Sequence, residues 1–329
     1  MMALSNSTAP KRAKGVAIIT VMMIVAISSY MAIEMSYRHK LDVMRTGILL
    51  AQDQSLEYIL SGEALAKYVL REDLKNNADK DTLADAWNTH MAQPLGYGQI
   101  DGKLIDLQGK FNINSLLHTD ASIRDAQRGR FIALLTSLGV PKHGEAAHIG
   151  VRVQDWLDAN PDPINFDSKE DQDYLSADPP YRTGGRLLLE LSELMLIAGL
   201  IPEDIDLLEP HVSVLPPKTP LNFNTATDKV LNSYSCLDAS AILQGQAGDG
   251  FDSAEDVKTK HFKTSAQCVD AKTINGDVKS EYFQLETEAI VNERSIKMKS
   301  ILFRPNTSTP SKVEVNVIYR KHLDPFSNV

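Results

Sequence analysis

No acidic residue precedes Glu34, and no proline stands between Pro10 and Pro94. The first absence leaves Lys11, Arg12 and Lys14 unopposed at the N-terminus; the second excludes a proline break from the long stretch that follows. Cysteine is scarce: Cys236 and Cys268 are the only two in 329 residues. With no CxxC and only His261 nearby, a zinc centre is not expected. There is no GxSxG, no HExxH and no Walker A, since Gly98 to Leu104 has the wrong spacing and no Ser/Thr after Lys103. His143 and His148 lie five apart and do not share a helix face. What is abundant is acid: 43 Asp+Glu against 34 Lys+Arg give a net charge of -9. That field opposes a chain whose main business is neutralising nucleic-acid phosphates. The 43% hydrophobic content suffices for a packed core and excludes a disordered tail protein.

Val16 to Ile33 carries no formal charge and is long enough, as a helix of about 27 Å, to span a bilayer. The basic cluster before it predicts a cytoplasmic N-terminus, with the rest of the chain on the far side. An ordinary signal peptide would need an A-x-A-like site after the apolar run, and the sequence there reads SSYMAIEMSYRHK. Apolar residues then recur at helical spacing through Val43, Met44, Ile48, Leu49, Leu56, Ile59, Leu60, Tyr68 and Val69. Membrane segment and soluble stretch are expected to form one helix to about Asp73, weakened locally at Gly47 and Gly62.

Farther on, Gln99 to Phe111 alternates around Gly102 and Gly109 and predicts a short hairpin. Near the C-terminus Tyr282–Val291, Ser295–Phe303 and Lys312–Tyr319 each alternate and predict consecutive antiparallel strands, with turns at Asn292-Glu293 and Pro305 to Pro310. Their inner faces are Phe283, Leu285, Ile296, Met298, Val315 and Val317.

Between the two β regions lies a mostly helical insertion containing a weak repeat, in which Phe111-Asn112-Ile113-Asn114-Ser115 recurs as Leu221-Asn222-Phe223-Asn224-Thr225. The asparagines are expected to cap helix starts, with capping-box-like spacing from Thr225 to Asp228. A second echo ends a helix in glycine then proline, at Gly139-Val140-Pro141 and Gly199-Leu200-Ile201-Pro202. Both resemble halves of SAM-like or helix-hairpin-helix bundles. Residues 111–280 hold 25 acidic and 15 basic side chains with no basic stripe, so nucleic acid is not an expected partner.

The densest chemical feature runs from Asp155 to Asp178, with eight carboxylates offset only by Lys169. Acid-rich loops suit Ca²⁺, which takes about six to eight oxygens; the alternative is a solvated loop, and the EF-hand spacing is absent. Asp158, Asp162, Glu170, Asp171 and Asp173 are the expected ligands, and Asp155, beside Trp156, belongs with the preceding helix. The two cysteines lie in the half placed outside the cytoplasm. There one disulfide of about 3–4 kcal/mol is expected, two buried thiols being the other reading. A membrane-anchored metal-dependent hydrolase using the acidic loop is the alternative in a different functional class.

The basic leader ending in Gly15, with the apolar run starting at Val16, resembles the prepilin signal, in which a peptidase cuts after the glycine. Most members of that class carry glutamate at the fifth mature position, and this chain has Thr20, which can bond back to its own helix. Together with DLQGKFNIN (Asp106 to Asn114), DWLDANPDP and EDQDYL…DPPYR (Asp155 to Arg182), SELMLIAGL (Ser192 to Leu200) and LNFNTA (Leu221 to Ala226), the chain resembles the K-type minor pseudopilins of bacterial type II secretion. The resemblance implies an α+β, pilin-like fold, a long N-terminal helix on an antiparallel sheet with a large inserted α-helical domain. It divides the chain into a leader (1–15), a membrane half-helix (16–33), a soluble helix with first strands (34–111), the insertion (112–279) and C-terminal strands (280–329). Further implications are cleavage between Gly15 and Val16 with methylation of the new terminus, an inner-membrane origin, and a place at the pseudopilus tip. Its implied partners are I-type and J-type minor pseudopilins, the major pseudopilin, secreted cargo and the prepilin peptidase. Calcium in the helical domain and the absence of a reaction of its own are implied as well.

Overall fold

The computed structural model describes residues 14–96, 98–263, 268, 271–292, 294–306 and 313–323. Apart from the backbone of Lys14 and Gly15, the expected leader lies outside the described residues. Helix α1 (Lys14–Asn76) runs 63 residues without interruption, about 95 Å at the usual rise. Its first half is bare: the apolar window starting at Val16 has mean hydropathy 2.4, and none of it is buried. In the second half a ridge at helical spacing, Ala51, Ser55, Ile59, Ala66, Leu70 and Leu74, is buried on the sheet. The apolar residues Val43, Met44, Leu49 and Tyr68 are on the open side instead. Gly62 is a close-approach point, because a Cβ there would lie 2.5 Å from Ile100 Cδ1.

The sheet has the order β1-β2-β7-β8-β9. Its strands are β1 (Met91–Leu95), β2 (Gly98–Asp106), β7 (Tyr282–Val291), β8 (Arg294–Phe303) and β9 (Asn316–Leu323), all antiparallel to their neighbours. Alternation places Phe283, Leu285, Ala289 and Met298 under α1, with Ile296 and Val317 partly buried against the same core. Glu63 of α1, itself buried, accepts two 2.8 Å bonds from Arg320 of β9 and one from the Ser300 hydroxyl. Burial pushes the Glu63 carboxyl up, but the Arg320 guanidinium outweighs it and holds the group below the ordinary carboxylate range.

The hairpin and the last strand differ from their expected positions. The hairpin does not turn at Gly102 or Gly109: it pairs β1 with β2 around Gly96, at φ +51°, while Gly102 sits inside β2 opposite Met91 and Thr287. Gly109 serves a different purpose, since a Cβ would lie 2.6 Å from the Thr225 carbonyl oxygen. Gly109→Ala is therefore expected to cost about 1–3 kcal/mol, read as a lower thermal midpoint; an unchanged midpoint would show that this junction yields freely. The last strand is also displaced. Val313 and Val315 are buried but precede β9, and pairing continues to Leu323, with a bulge at Ile301/Leu302 shifting the alternation. Lys312 and the turn residues Glu293 and 307–310 lie outside the described residues.

β2 and β7 are sheet neighbours, yet the chain between them builds α2 (Ala121–Leu138), α3 (Ala146–Leu157), α4 (Asp171–Leu175), α5 (Pro202–Leu208), α6 (Asp228–Ser233), α7 (Ala239–Gln246) and α8 (Ala254–Lys260). These enclose a second core around Phe111, Phe131, Leu134, Val153, Trp156 and Phe223. Cys236 and Cys268 are joined by a disulfide within it. The repeat is real in three dimensions: β3 (Phe111–Asn112) pairs in parallel with β4 (Val212–Ser213), and β5 (Leu221–Asn222) with β6 (Gly276–Asp277). Asn112 accepts from the Asn114 N–H and caps a 3-10 turn as expected. In the second copy Thr227, and not Thr225, caps α6 by accepting from the Val230 N–H. Thr225 donates its hydroxyl to Asp106.

Candidate functional site

The acidic stretch leaves the C-terminal end of α3. Val153, Trp156 and Leu157 bury that helix end, and the same face carries Asp155 into the interior at 0% exposure. Neither Asp155 carboxylate oxygen has a hydrogen bond of normal geometry. Burial pushes its carboxyl up; the Ser168 hydroxyl and the Ile164 N–H lie toward it and oppose this without meeting that geometry. Asp158 caps the helix, half-buried, and is pushed up by burial and then by the charge of Asp155. Across the loop Glu170 starts α4, with Oε1 buried and unpartnered. Burial, then the charges of Asp155 and Asp158, raise Glu170 to about 7. The three carboxyls thus raise one another's proton affinity, and three of their oxygens are buried without a partner of normal geometry.

The remaining expected ligands have other partners. Asp171 accepts from the Thr183 N–H (3.0 Å), the Thr183 hydroxyl (2.9 Å) and Arg182 (3.2 Å), bonds that hold its carboxyl below the ordinary range. Asp173 accepts from Lys169 (2.6 Å) and from the Glu170 N–H (3.1 Å), and is lowered chiefly by the lysine. Asp162 is exposed, with its N–H on Asn160 Oδ1. Asp158 and Glu170 feel the charge of Asp155, a residue the loop composition does not single out, but these three do not bring ligand atoms within 4.8 Å of one another. The available signal is an aspartate on the apolar side of an amphipathic helix, flanked by Trp-Leu.

An isolated buried carboxylate costs several kcal/mol, and a hard cation with oxygen ligands relieves that cost. Asp155, Asp158 and Glu170 therefore fit Ca²⁺ by donor chemistry. Trp156, next to Asp155 in the chain, packs edge-on to Tyr174, ring centroids 5.2 Å apart, and Tyr174 in turn meets Tyr181 at 5.2 Å. The carboxylate trio whose ligand atoms do lie within 4.8 Å of one another, among the described residues, is Asp73, Asp81 and Asp85. Here a cation is already supplied. Arg304 donates to Asp73 at 2.9 Å and also to Asp81, while its guanidinium stacks 4.7 Å over the Phe283 ring.

The other functional element is the bare half of α1. Thr20 directs its hydroxyl to the Ala17 carbonyl at 2.9 Å, so the one strongly polar group near its start is satisfied within the helix.

Comparisons with known proteins agree with this architecture. A family model described as "Type II secretion system (T2SS), protein K" matches residues 109–217, which open the insertion. The type II secretion system protein K of Pseudomonas aeruginosa is 33% identical over 303 residues, covering 88% of each chain. That of Aeromonas hydrophila is 30% identical over 317 residues, covering 89% of this chain and 94% of the relative. Among solved structures, a chain of the GspK-GspI-GspJ complex from the enterotoxigenic Escherichia coli type 2 secretion system superposes with a TM-score of 0.75 at 26% identity. The match covers 85% of this chain and 99% of that one.

Proposed function

The chain belongs to the type II secretion system protein K family, and from that premise we propose that it is the minor pseudopilin that begins and caps the pseudopilus, assembled with I-type and J-type partners. The unburied apolar half of α1 carries this reading, because a helix with nothing on it in the monomer needs lipid before assembly and other helices after it. Cleavage between Gly15 and Val16, with methylation of Val16, frees that helix as the mature terminus. The basic leader sets the N-terminus in the cytoplasm and the remainder beyond the inner membrane. A glutamate at the fifth mature position pairs a pilin with the subunit ahead; Thr20 suits a subunit with none ahead, and the insertion would obstruct stacking above it. The major pseudopilin below and secreted cargo above complete the set of contacts. The chain supplies an assembly surface. The relatives are secretion subunits, and the hydrolase alternative finds no support among them.

Ca²⁺ bound by Asp155, Asp158 and Glu170 would neutralise the loop and fix α4 against the end of α3, a structural role.

Gly15→Ala, expressed beside a prepilin peptidase, is expected to remain at precursor size on a gel and to lose co-purification with the I-type and J-type subunits. Normal processing would refute the cleavage site, and co-purification of a chain lacking residues 16–50 would refute the helix as the assembly element.

A further inference from the structure

On the sheet face opposite α1, a cleft of about 420 Å³ separates the insertion from β7, β8 and β9. Leu189, Leu191, Met195 and Ile205 line it from the insertion, and Ile301 and Leu323 from the sheet. Leu189 is 68% exposed and Met195 51%, so the two layers face each other here without the close packing of either core. Three side-chain contacts bridge the gap: Tyr319 and Lys321 of β9 donate to Glu190, and Lys299 of β8 donates to Glu209. None of the four ionic partners is fully buried.

The two ends of this interface are held differently. At the junction with β2, Gln108 is 1% exposed; its side-chain amide donates to the Pro220 and Lys279 carbonyls at 3.1 and 3.3 Å and accepts the Glu281 N–H at 2.7 Å. Separation there would leave buried polar groups unpaired. Across the cleft the partners are not stranded: Lys299 keeps Glu286, on its own sheet, at 3.3 Å, and Glu190 keeps the Ser192 hydroxyl at 2.9 Å. A partly exposed ion pair favours its joined state by only about 1.5- to 5-fold.

We propose that the insertion is a jaw hinged at the Gln108 junction, with Glu190 and Glu209 as an ionic latch that holds it closed against Lys321, Tyr319 and Lys299. Opening tilts the insertion against the helix-and-sheet unit and widens the apolar cleft, while both cores stay packed. The device depends on neither the bare half of α1 nor the acidic loop.

The test uses the full chain in detergent with spin labels on Glu203→Cys in α5 and His322→Cys in β9, exposed positions that do not line the cleft; the native cysteines are paired and take no label. Pulsed dipolar EPR is expected to show a short and a long distance. The ratio of long to short is expected to rise by about twofold or more in Glu190→Gln with Glu209→Gln, and to rise in the labelled parent between low salt and 1 M salt, where the screening length is about 3 Å. Glu190→Lys alone is expected to open the jaw, and adding Lys321→Glu to close it again. A control pair within the insertion, Glu203→Cys with Lys258→Cys, is expected to keep one distance throughout. An unchanged ratio in the double variant, or failure of Lys321→Glu to reverse Glu190→Lys, overturns the proposal. Broadening of the control pair overturns it too, because the insertion would then be unfolding and not swinging.

Discussion

Replacing Arg304 with methionine is expected to destabilise the protein by about 3–5 kcal/mol at pH 8, because it strands two buried carboxylates. Arg304 is 1% exposed, and every direction of its guanidinium is used: Asp73, Asp81, the Leu70 carbonyl at 3.3 Å, the Ser280 carbonyl at 3.0 Å and the Phe283 face. Those partners come from the end of α1, the segment after it and the entry into β7, so one side chain ties the long helix to the sheet. Asp81 also accepts the Ser280 N–H at 2.7 Å, and the Ser280 hydroxyl donates 2.6 Å to Asp106, which receives Asn222 and Thr225 from the insertion. The junction is one continuous polar network, and Arg304 is the cation among its buried acids.

The pH dependence has a definite sign. Burial raises Asp73 from 3.8 to about 7 against the opposing charge of Arg304, and it raises Asp81 as well. Between the unfolded value near 3.8 and the folded value near 7, the native chain holds more protons, so this part of the stability falls as pH rises. Without Arg304 both groups shift further upward. The variant's deficit should therefore be larger at pH 8 than at pH 5, measured by denaturant unfolding of the full chain in detergent. Adding Asp73→Asn and Asp81→Asn should recover part of the loss. A deficit under about 1 kcal/mol, or one independent of pH, would show that water replaces the guanidinium.

Helix α1 and strands β7 and β8 were readable because each is long and keeps one period. Tyr282–Val291 alternates over its whole length, and the expected bounds are those observed. Elsewhere the pattern missed the element or misplaced its ends. β1 contains Pro94, tolerated because the strand is at the sheet edge, and the glycines that suggested a turn serve a strand interior and a backbone crossing. β9 is polar along Arg320, Lys321 and His322, and its pairing depends on charges elsewhere: Arg320 on Glu63, Lys321 and Tyr319 on Glu190. No local pattern encodes partners that distant. The acidic loop shows the same limit. Composition marked the region, while the choice among its carboxylates depended on which had hydrogen-bond partners, and Thr183, which engages Asp171, is 12 residues away.

Calcium is expected to raise the unfolding midpoint of the full chain in detergent, and a chelator to lower it, by the equivalent of about 3–4 kcal/mol when free calcium is hundreds of times its Kd. The energy comes from three carboxyls that repel one another in a partly dehydrated place. Glu170, raised from 4.5 to about 7, holds a proton in the metal-free fold near neutrality that it lacks in the unfolded chain. Metal-free stability contributed by this group is thus present at low pH and is lost as pH rises toward 7. Binding must displace that proton, so calcium affinity should climb between pH 6 and pH 8, by no more than about tenfold per unit for each proton released. Substitution separates a cation site from an inert acidic loop by opposite signs. Glu170→Gln removes a costly charge and should raise the metal-free midpoint, yet it should weaken the response to calcium; Asp155→Asn should do the same. Asp171→Asn and Asp173→Asn should leave the calcium response intact, because those carboxylates serve Thr183, Arg182 and Lys169. Trp156 fluorescence gives a local readout of the same equilibrium, since its ring lies against Tyr174 at the start of the loop. If calcium moves neither the midpoint nor the fluorescence, or if both responses survive Asp155→Asn with Glu170→Gln, the carboxyls are held neutral by protons alone.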